Sequence, residues 1–390
     1  MRRPRLDPAT ARIRTVLRAL VVAQRGGTGK LSGTVHGSAD PLREPGAPLL
    51  VAVSGGADSL ALAAAAAFLH ARGEARFLAV TVDHGLQDGS DAVARDTVAV
   101  LHALGLPARA VTADVDTAHS GGLEAAARTA RYTALARAAQ DEGAAAVLTG
   151  HTQDDQAETV LLGLLRGSGA RSLSGMAGRT RLDTEAGPLT VLRPLLGITR
   201  DQTRASVRAR GLSAWDDPMN DDPRFARVRA RRILRDLEGS LGQDLRAGLA
   251  RTADLLREDA DHLDAEAGRA WAALVTEAGG DGETDPTGAA GGPEKAVPTG
   301  SAVATGEAPS APEALPVESL AQLGPAVAGR VVRTWLLARG VPASDLTADH
   351  VRDVREVAAA SGAGRREASV PGAGTVRRAG GMLVHRAAGA

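Results

Sequence analysis

The chain has no cysteine in its 390 residues. Disulfides, thiolate zinc sites, iron–sulfur clusters and persulfide chemistry are therefore excluded. Net charge is absent too: 46 basic and 46 acidic side chains cancel, so contact with nucleic acid has to come from a local patch. Nearly all of the basic residues are arginine. Arginine forks suit phosphates and base edges, although heavy Arg and Ala usage also follows genomic base composition, the larger cause here. No apolar stretch reaches the ~18–20 uncharged residues of a membrane span. The segment Val16 to Val22 is too short for one and has no cleavage pattern after it. A soluble, cytoplasmic protein with no membrane partner is expected.

What is present begins at residues 53–59, Val53-Ser54-Gly55-Gly56-Ala57-Asp58-Ser59. They follow the apolar run Leu49 to Ala52 and precede the Ala/Leu-rich stretch Leu60 to Leu69. A buried strand thus enters a helix through small residues, and such a loop closes backbone N–H groups on phosphate oxygens where the helix dipole also favours anions. The glycines permit close approach, Ser54 and Ser59 offer hydroxyls, and Asp58 can hold Mg²⁺ against a nucleotide triphosphate. The alternative is a Gly-rich turn without a ligand. A second glycine cluster, Gly26 to Leu31, fails as a Walker loop, because Gln24 stands where the first glycine belongs and Leu31 where Ser or Thr should bind Mg²⁺.

Strand-like runs over Leu49 to Val53, Phe77 to Val82, Ala108 to Thr112 and Ala145 to Thr149 alternate with helical patterns. That alternation predicts an α/β fold, a parallel sheet with helices on both faces, with ligands at the carboxyl ends of the strands. Residues 1–48 read as a leading helix and flexible loop, 49–240 as the catalytic domain and 241–279 as a helical connector. Residues 280–312, dominated by Gly, Pro, Thr, Ala and Glu, read as a disordered linker. Residues 313–390 read as a small α+β module, with helices over Val317 to Gly340 and Leu346 to Ala360 and short strands over Ala368 to Val370, Thr375 to Arg377 and Met382 to His385.

Further clusters carry chemistry. In Gly150-His151-Thr152-Gln153-Asp154-Asp155-Gln156-Ala157-Glu158 a histidine and three carboxylates open a helix. Capping by Thr152 with Asp154 or Asp155 accounts for one or two of the acids. On a helix, His151, Asp155 and Glu158 would share a face and form an anionic pocket, suited to an amine or a metal ion. Arg128 and Arg131 lie one turn apart on a helix leading into the strand whose end carries His151, so one of them could reach the phosphates, the alternative being solvated surface arginines. His84 ends a strand on the presumptive adenine side. Between Trp215 and Arg235, the arginines Arg224, Arg227, Arg229, Arg231 and Arg232, with Phe225 among them, suit a sugar-phosphate backbone, the alternative being an exposed Arg-rich helix.

In this order and at these distances the motifs resemble the tRNA(Ile)-lysidine synthetases, PP-loop ATP-pyrophosphatases of adenine nucleotide alpha hydrolase-like fold. The resemblance is detailed from about Leu49 to Glu238 and looser from Glu318 to His385; its particular pieces are His151 to Gly169, Leu192-Arg193-Pro194-Leu195-Leu196 and Trp215 to Asn220. It implies ATP-dependent adenylation of the C2 oxygen of the wobble cytidine in a tRNA(Ile) with CAU anticodon, then displacement of AMP by L-lysine. By the same resemblance Ser54, Gly55, Gly56, Asp58, Ser59 and His84 bind ATP, with Mg²⁺ on Asp58. Asp58, Arg131, His151 and Asp155 are the catalytic set; His151, Asp155 and Glu158 receive lysine; and the C-terminal module binds tRNA. Oligomeric state stays open, with a homodimer among the options. Where the family carries Arg-Asn and Leu-Pro, this chain has Arg227-Val228 and Leu234-Arg235. The rivals are another PP-loop adenylating enzyme and a catalytically inert RNA- or nucleotide-binding protein. A cysteine-dependent tRNA thiolation enzyme is removed by the lack of cysteine, and decay to an inert protein would be expected to erode Asp58, Ser59, His151, Asp155 or Glu158.

Overall fold

Short β-branched and leucine-rich runs, each followed by an alanine-rich helix, dictate the first of two compact units, residues 1–258 and 259–390. The computed structural model describes residues 6–24, 46–85, 87, 89–116, 122–167, 169–217, 219, 222–279, 312–343, 345–360, 364 and 366–387. The glycine cluster at 26–31 and nearly all of the segment 280–312 lie outside the described residues. Among the described residues no helix is long and apolar enough to cross a membrane.

In chain order the first unit contains α1 (Pro8–Gln24), β1 (Leu49–Ala52), α2 (Ala57–Ala71), β2 (Phe77–Asp83), α3 (Ser90–Ala103), β3 (Ala108–Thr112), α4 (Gly122–Asp141) and β4 (Ala146–Leu148). There follow α5 (Gln153–Leu165), α6 (Ala170–Leu173), β5 (Arg179–Thr184), β6 (Gly187–Leu192), α7 (Arg200–Ala209) and α8 (Ala226–Leu241). The helix α9 (Leu245–Gly279) contains the boundary between the units. The sheet order is β3-β2-β1-β4-β6-β5, parallel except for β5, which runs antiparallel to β6. The pairing sets Leu49 beside Phe77 and Ala146, and Val51 beside Ala79 and Leu148.

Strand side chains alternate between faces, so the sheet has a core on each side. Leu49, Val51 and Leu148 join Ile13, Leu17, Leu62 and Leu69 on one side. Leu50 and Val147 join Val80, Leu135 and Val191 on the other. Both sets are buried, and truncating one such leucine to alanine costs about 2–5 kcal/mol. In α2 the residues from Ala61 to Ala67 are all buried, and small side chains there bring the helix close to the sheet.

Two features differ from the sequence reading. The β5/β6 hairpin has no counterpart in it, because residues 179–184 carry a single apolar side chain, Leu182, and no fully buried face. The helical pattern from Phe225 to about Gly279, which the sequence interrupts near Gly239 and Ser240, breaks instead at Gly242, which is left-handed (φ 62°) and ends α8 there.

The second unit holds β7 (Ala314–Pro316), α10 (Val317–Ala321), α11 (Pro325–Ala338), α12 (Ala348–Ala359), β8 (Glu367–Val370), β9 (Gly374–Ala379) and β10 (Met382–Arg386). Its antiparallel sheet has the order β7-β10-β9-β8 and packs around the fully buried Trp335, whose indole N–H donates to the Pro312 carbonyl at 3.1 Å. The single helix expected over Val317 to Gly340 is two, because Gly324 caps the second helix and Pro325 occupies its first position, where a missing N–H costs nothing.

Candidate active site

At the carboxyl end of β1 the chain turns through Ser54, Gly55 and Gly56 into α2. Gly55 is left-handed (φ 85°), and a Cβ there would stand 2.8 Å from Thr97 Oγ1. Its carbonyl accepts from the Trp215 backbone N–H at 3.0 Å, so the Trp215 segment is docked on the loop. The Ser59 hydroxyl donates to the Gly56 carbonyl at 2.9 Å and accepts from the Ser54 N–H at 3.2 Å. Gly56, the N-cap of α2, supplies no side chain to the first turn, which leaves the helix N–H groups there for an anion. Gly150, at the end of β4, lies against this turn: a Cβ would sit 3.0 Å from the Ser59 N and the Asp58 carbonyl carbon.

His151 precedes α5 rather than lying on it, which corrects the shared-face reading of 151, 155 and 158. Thr152 is the N-cap, closed by a capping box: Asp155 Oδ2 accepts from the Thr152 N–H and hydroxyl, both at 2.8 Å. Asp155 and Glu158, one turn apart on α5, are nevertheless brought together with Asp58, and the agent is Arg200. From the first position of α7 its guanidinium donates to Asp155 Oδ1 at 2.8 Å, Glu158 Oε1 at 3.3 Å and Asp58 Oδ2 at 3.4 Å. Its backbone N–H donates to Asp154 Oδ2 at 2.8 Å. Arg231 of α8 adds a second donor to Glu158 Oε1 at 2.8 Å, and Thr203 donates to Asp58 Oδ1. Glu158 is 1% exposed, and its Oε2 has no hydrogen-bond donor among the described residues.

Electrostatics follow from this packing. Burial pushes the Asp58 carboxyl up, more than Thr203 and Arg200 bring it down. Burial also acts to raise Asp155, but Arg200, His151 and the Thr152 donors outweigh it and hold the carboxyl below its usual range. His151, bonded through Nδ1 to Thr149 Oγ1 at 2.9 Å, is lowered to about 3 by burial, reinforced by Arg193, Arg131 and Arg227 and opposed by Asp155. It is neutral near pH 7. Among the described residues no three His, Asp or Glu side chains converge as a metal ligand set.

The other side of the site is cationic. Arg128 and Arg131 lie 5.0 and 5.4 Å from the Tyr132 ring centroid. Burial lowers the Arg131 pKa, and Arg128 and Arg227 lower it further. Burial would raise the Tyr132 hydroxyl, yet Arg128, Arg131 and Arg193 bring it down. His84, at the end of β2, is lowered by burial and by Arg131. Among the described residues no ion pair joins Arg131 to a carboxylate.

The arginines of 224–232 separate by role. Arg231 turns inward to Glu158, and Arg227 lies near His151 and Arg131. Arg229 and Arg232 are exposed, Arg229 donating to the Pro223 and Arg224 carbonyls at 2.8 and 2.7 Å, while Arg224 pairs with Asp222 at 2.7 Å. Sequence reasoning missed Arg200, Thr203 and Arg246, the last paired with Asp154 at 3.5 Å and Glu238 at 2.8 Å. The sequence offered only the Thr199–Gln202 capping box as a local signal, which places a helix start and says nothing of a partner 142 residues away.

Residues 37–237 match the family described as a PP-loop domain, and residues 315–384 match the TilS substrate binding domain. A tRNA(Ile)-lysidine synthase of Streptomyces coelicolor is 43% identical over 357 residues, covering 89% of this chain and 88% of its own. The one from Salinispora arenicola is 44% identical over 340 residues, covering 86% and 90%. That of Leifsonia xyli is 50% identical over 246 residues, covering 62% and 71%.

Proposed function

The chain belongs to the tRNA(Ile)-lysidine synthases, ATP-dependent ligases that join lysine to the wobble cytidine of tRNA(Ile), and from that premise we propose how its own residues divide the work. Ser54 to Ser59 and the open first turn of α2 receive the ATP phosphates, with His84 on the nucleotide side. Asp58 is a hard oxygen donor at this turn, and its long 3.4 Å contact to Arg200 leaves Oδ2 with capacity for a cation, so it fits Mg²⁺. That ion, when bound, offsets phosphate charge. Arg131, with the exposed Arg128 one turn before it, stabilises the departing pyrophosphate, since its largely buried positive charge has no carboxylate to neutralise it among the described residues.

In the first step the cytidine C2 oxygen attacks the α-phosphorus and pyrophosphate leaves. In the second a lysine amine, having lost a proton, adds at C2, and AMP departs with the former carbonyl oxygen. His151, Asp155 and Glu158 receive lysine. The observation that carries this is Glu158 Oε2, a buried carboxylate oxygen without a donor among the described residues, beside one that has two. A buried acceptor left unpaired costs roughly 1–3 kcal/mol, which an ammonium N–H would recover. Arg224, Arg227, Arg229 and Arg232 face the tRNA from α8 and the loop before it, Arg231 being turned inward to Glu158, with residues 49–240 as the catalytic domain and 313–390 as a tRNA-binding module. The reaction is placed in the cytoplasm.

Incubating the chain with ATP, labelled lysine and unmodified tRNA tests the reading. Label should become acid-precipitable only with all three present. Lysine-independent incorporation of adenylate with no lysine product would leave an adenylating enzyme of another kind.

A further inference from the structure

Arg200 occupies the middle of the acidic cluster, and nothing in the proposed division of work uses it. Its side chain is 14% exposed and meets carboxylates from two segments, Asp58 of the phosphate loop and Asp155 and Glu158 of α5. The Thr199–Gln202 capping box and the bond from its own N–H to Asp154 fix where the side chain starts. A guanidinium is planar, permanently charged and able to serve three acceptors at once, which an ammonium on a flexible stem does less well.

The charge count around it is specific. Asp58, Asp155 and Glu158 face Arg200 and Arg231, so three carboxylates meet two guanidiniums. Asp154, 3.5 Å from Arg246, shares that guanidinium with Glu238 and lies outside this set. His151 adds no charge, being neutral near pH 7. Among these five groups, before Mg²⁺ and ATP bind, one net negative charge remains. Free lysine, with two ammonium groups and one carboxylate, carries one net positive charge. Without Arg200 the cluster would hold two net negative charges, a match for a diamine or a divalent cation.

We propose that Arg200 is a positioning residue that sets the charge of the amine pocket, holding Asp58, Asp155 and Glu158 together and limiting the pocket to a ligand of one net positive charge. This rests on the reading that Asp155 and Glu158 receive lysine. Specificity is a difference between affinities, and Arg200 supplies the repulsive element against dications. A free diamine of lysine's length has the same reacting amine and lacks only the carboxylate, so rejection of it needs such an element.

The test is calorimetric binding of L-lysine and of L-lysinamide, at mildly acidic pH where lysinamide carries two positive charges, to the full chain and its R200Q, R200K and D155N variants. Wild type should prefer lysine by about tenfold or more, the scale of one unfavourable charge contact. R200Q should shift the ratio of the two affinities toward lysinamide by about tenfold, and R200K should restore the wild-type ratio. A merely structural role would weaken both ligands alike, so a folded R200Q with an unmoved ratio overturns the proposal. If R200Q does not fold, wild type decides: equal affinity for lysine and lysinamide overturns it, and a preference retained in R200K upholds it. D155N separates the two readings. Lysine binding unaffected by D155N removes the lysine pocket and the role of Arg200 with it, whereas weakened lysine binding with an unmoved R200Q ratio removes Arg200 alone.

Discussion

Asp155 and Glu158 lie within 2.8–3.3 Å of guanidinium donors, whereas Arg131, on the opposite side of the same site, has Arg128 and Arg227 for neighbours and no carboxylate pair among the described residues. The acidic side is assembled before any ligand arrives: each acid is oriented, and Glu158 Oε2 is the buried oxygen of the cluster left without a donor among the described residues. The basic side is a concentration of like charge that the fold alone does not relieve. Its partner has to come from outside, and phosphate is the anion the reaction brings. Preassembled polar groups select a ligand, while uncompensated ones are held for charge that develops during the reaction.

Removing charge from the basic side should therefore have the largest effect. R131A is expected to lower the rate of tRNA-dependent pyrophosphate release by about 10²–10³-fold with a small change in thermal midpoint, because no folded-state ion pair is broken. A loss of stability with little loss of rate would show that Arg131 is structural and dissolve the contrast.

On the acidic side the order should reverse. D155N is expected to cost about 1.5–3 kcal/mol in lysine affinity, roughly ten- to hundredfold in lysine KM, while pyrophosphate release survives in part. It should also reduce stability, since the Asn amide cannot replace both the capping acceptor and the Arg200 partner. E158Q is a poorer probe, because it strands two partly buried guanidiniums, a loss of about 3–5 kcal/mol when the pair is deeply buried. Lost Mg·ATP binding with intact lysine binding in D155N would make the cluster a metal site.

A smaller effect is expected from R227A/R229A, which combines one arginine near the basic side with one that is exposed. Affinity for tRNA should fall, and the slope of log K against log salt should flatten by about 1 for each phosphate that an arginine no longer neutralises. An unaltered salt series would make both solvated surface.

The smallest concerns acid stability. His151 has a folded pKa of about 3, below its unfolded value, so between about pH 6.5 and 3 the unfolded chain binds the extra proton and stability falls as pH falls. H151Q should flatten that part of the stability curve in denaturant titrations. An identical slope in wild type and variant would mean that the histidine is protonated in the folded state.

Much of the sheet was legible because apolar runs of three to seven residues bounded by helices have few other destinations, and β3 lies over Ala108–Thr112 as read. The phosphate loop was legible because glycines and a strand-to-helix transition coincide. What escaped depended on distance in sequence. The link from Asp58 to Arg200 spans 142 residues, and that from Glu158 to Arg231 spans 73. The run of arginines gave no hint that Arg231 turns inward while Arg229 and Arg232 face solvent, since that depends on where α8 lies against α5. His151 falls outside the helix because the Thr152 cap, one residue later, decides where helical geometry begins.

Gly55 and Gly56 look interchangeable as letters, yet the fold treats them differently. At Gly55 a side chain meets both a left-handed backbone and Thr97 Oγ1 at 2.8 Å, while at Gly56 the nearest atom to an added Cβ is Ser54 Oγ at 3.7 Å. In a library of all single substitutions selected only for folded, soluble chain, the first position should be depleted of every replacement and the second should keep its alanine. The same library selected for growth that depends on the enzyme's product would then score the second glycine for its ligand alone, separating, within one dipeptide, what the chain needs to exist from what it needs to work.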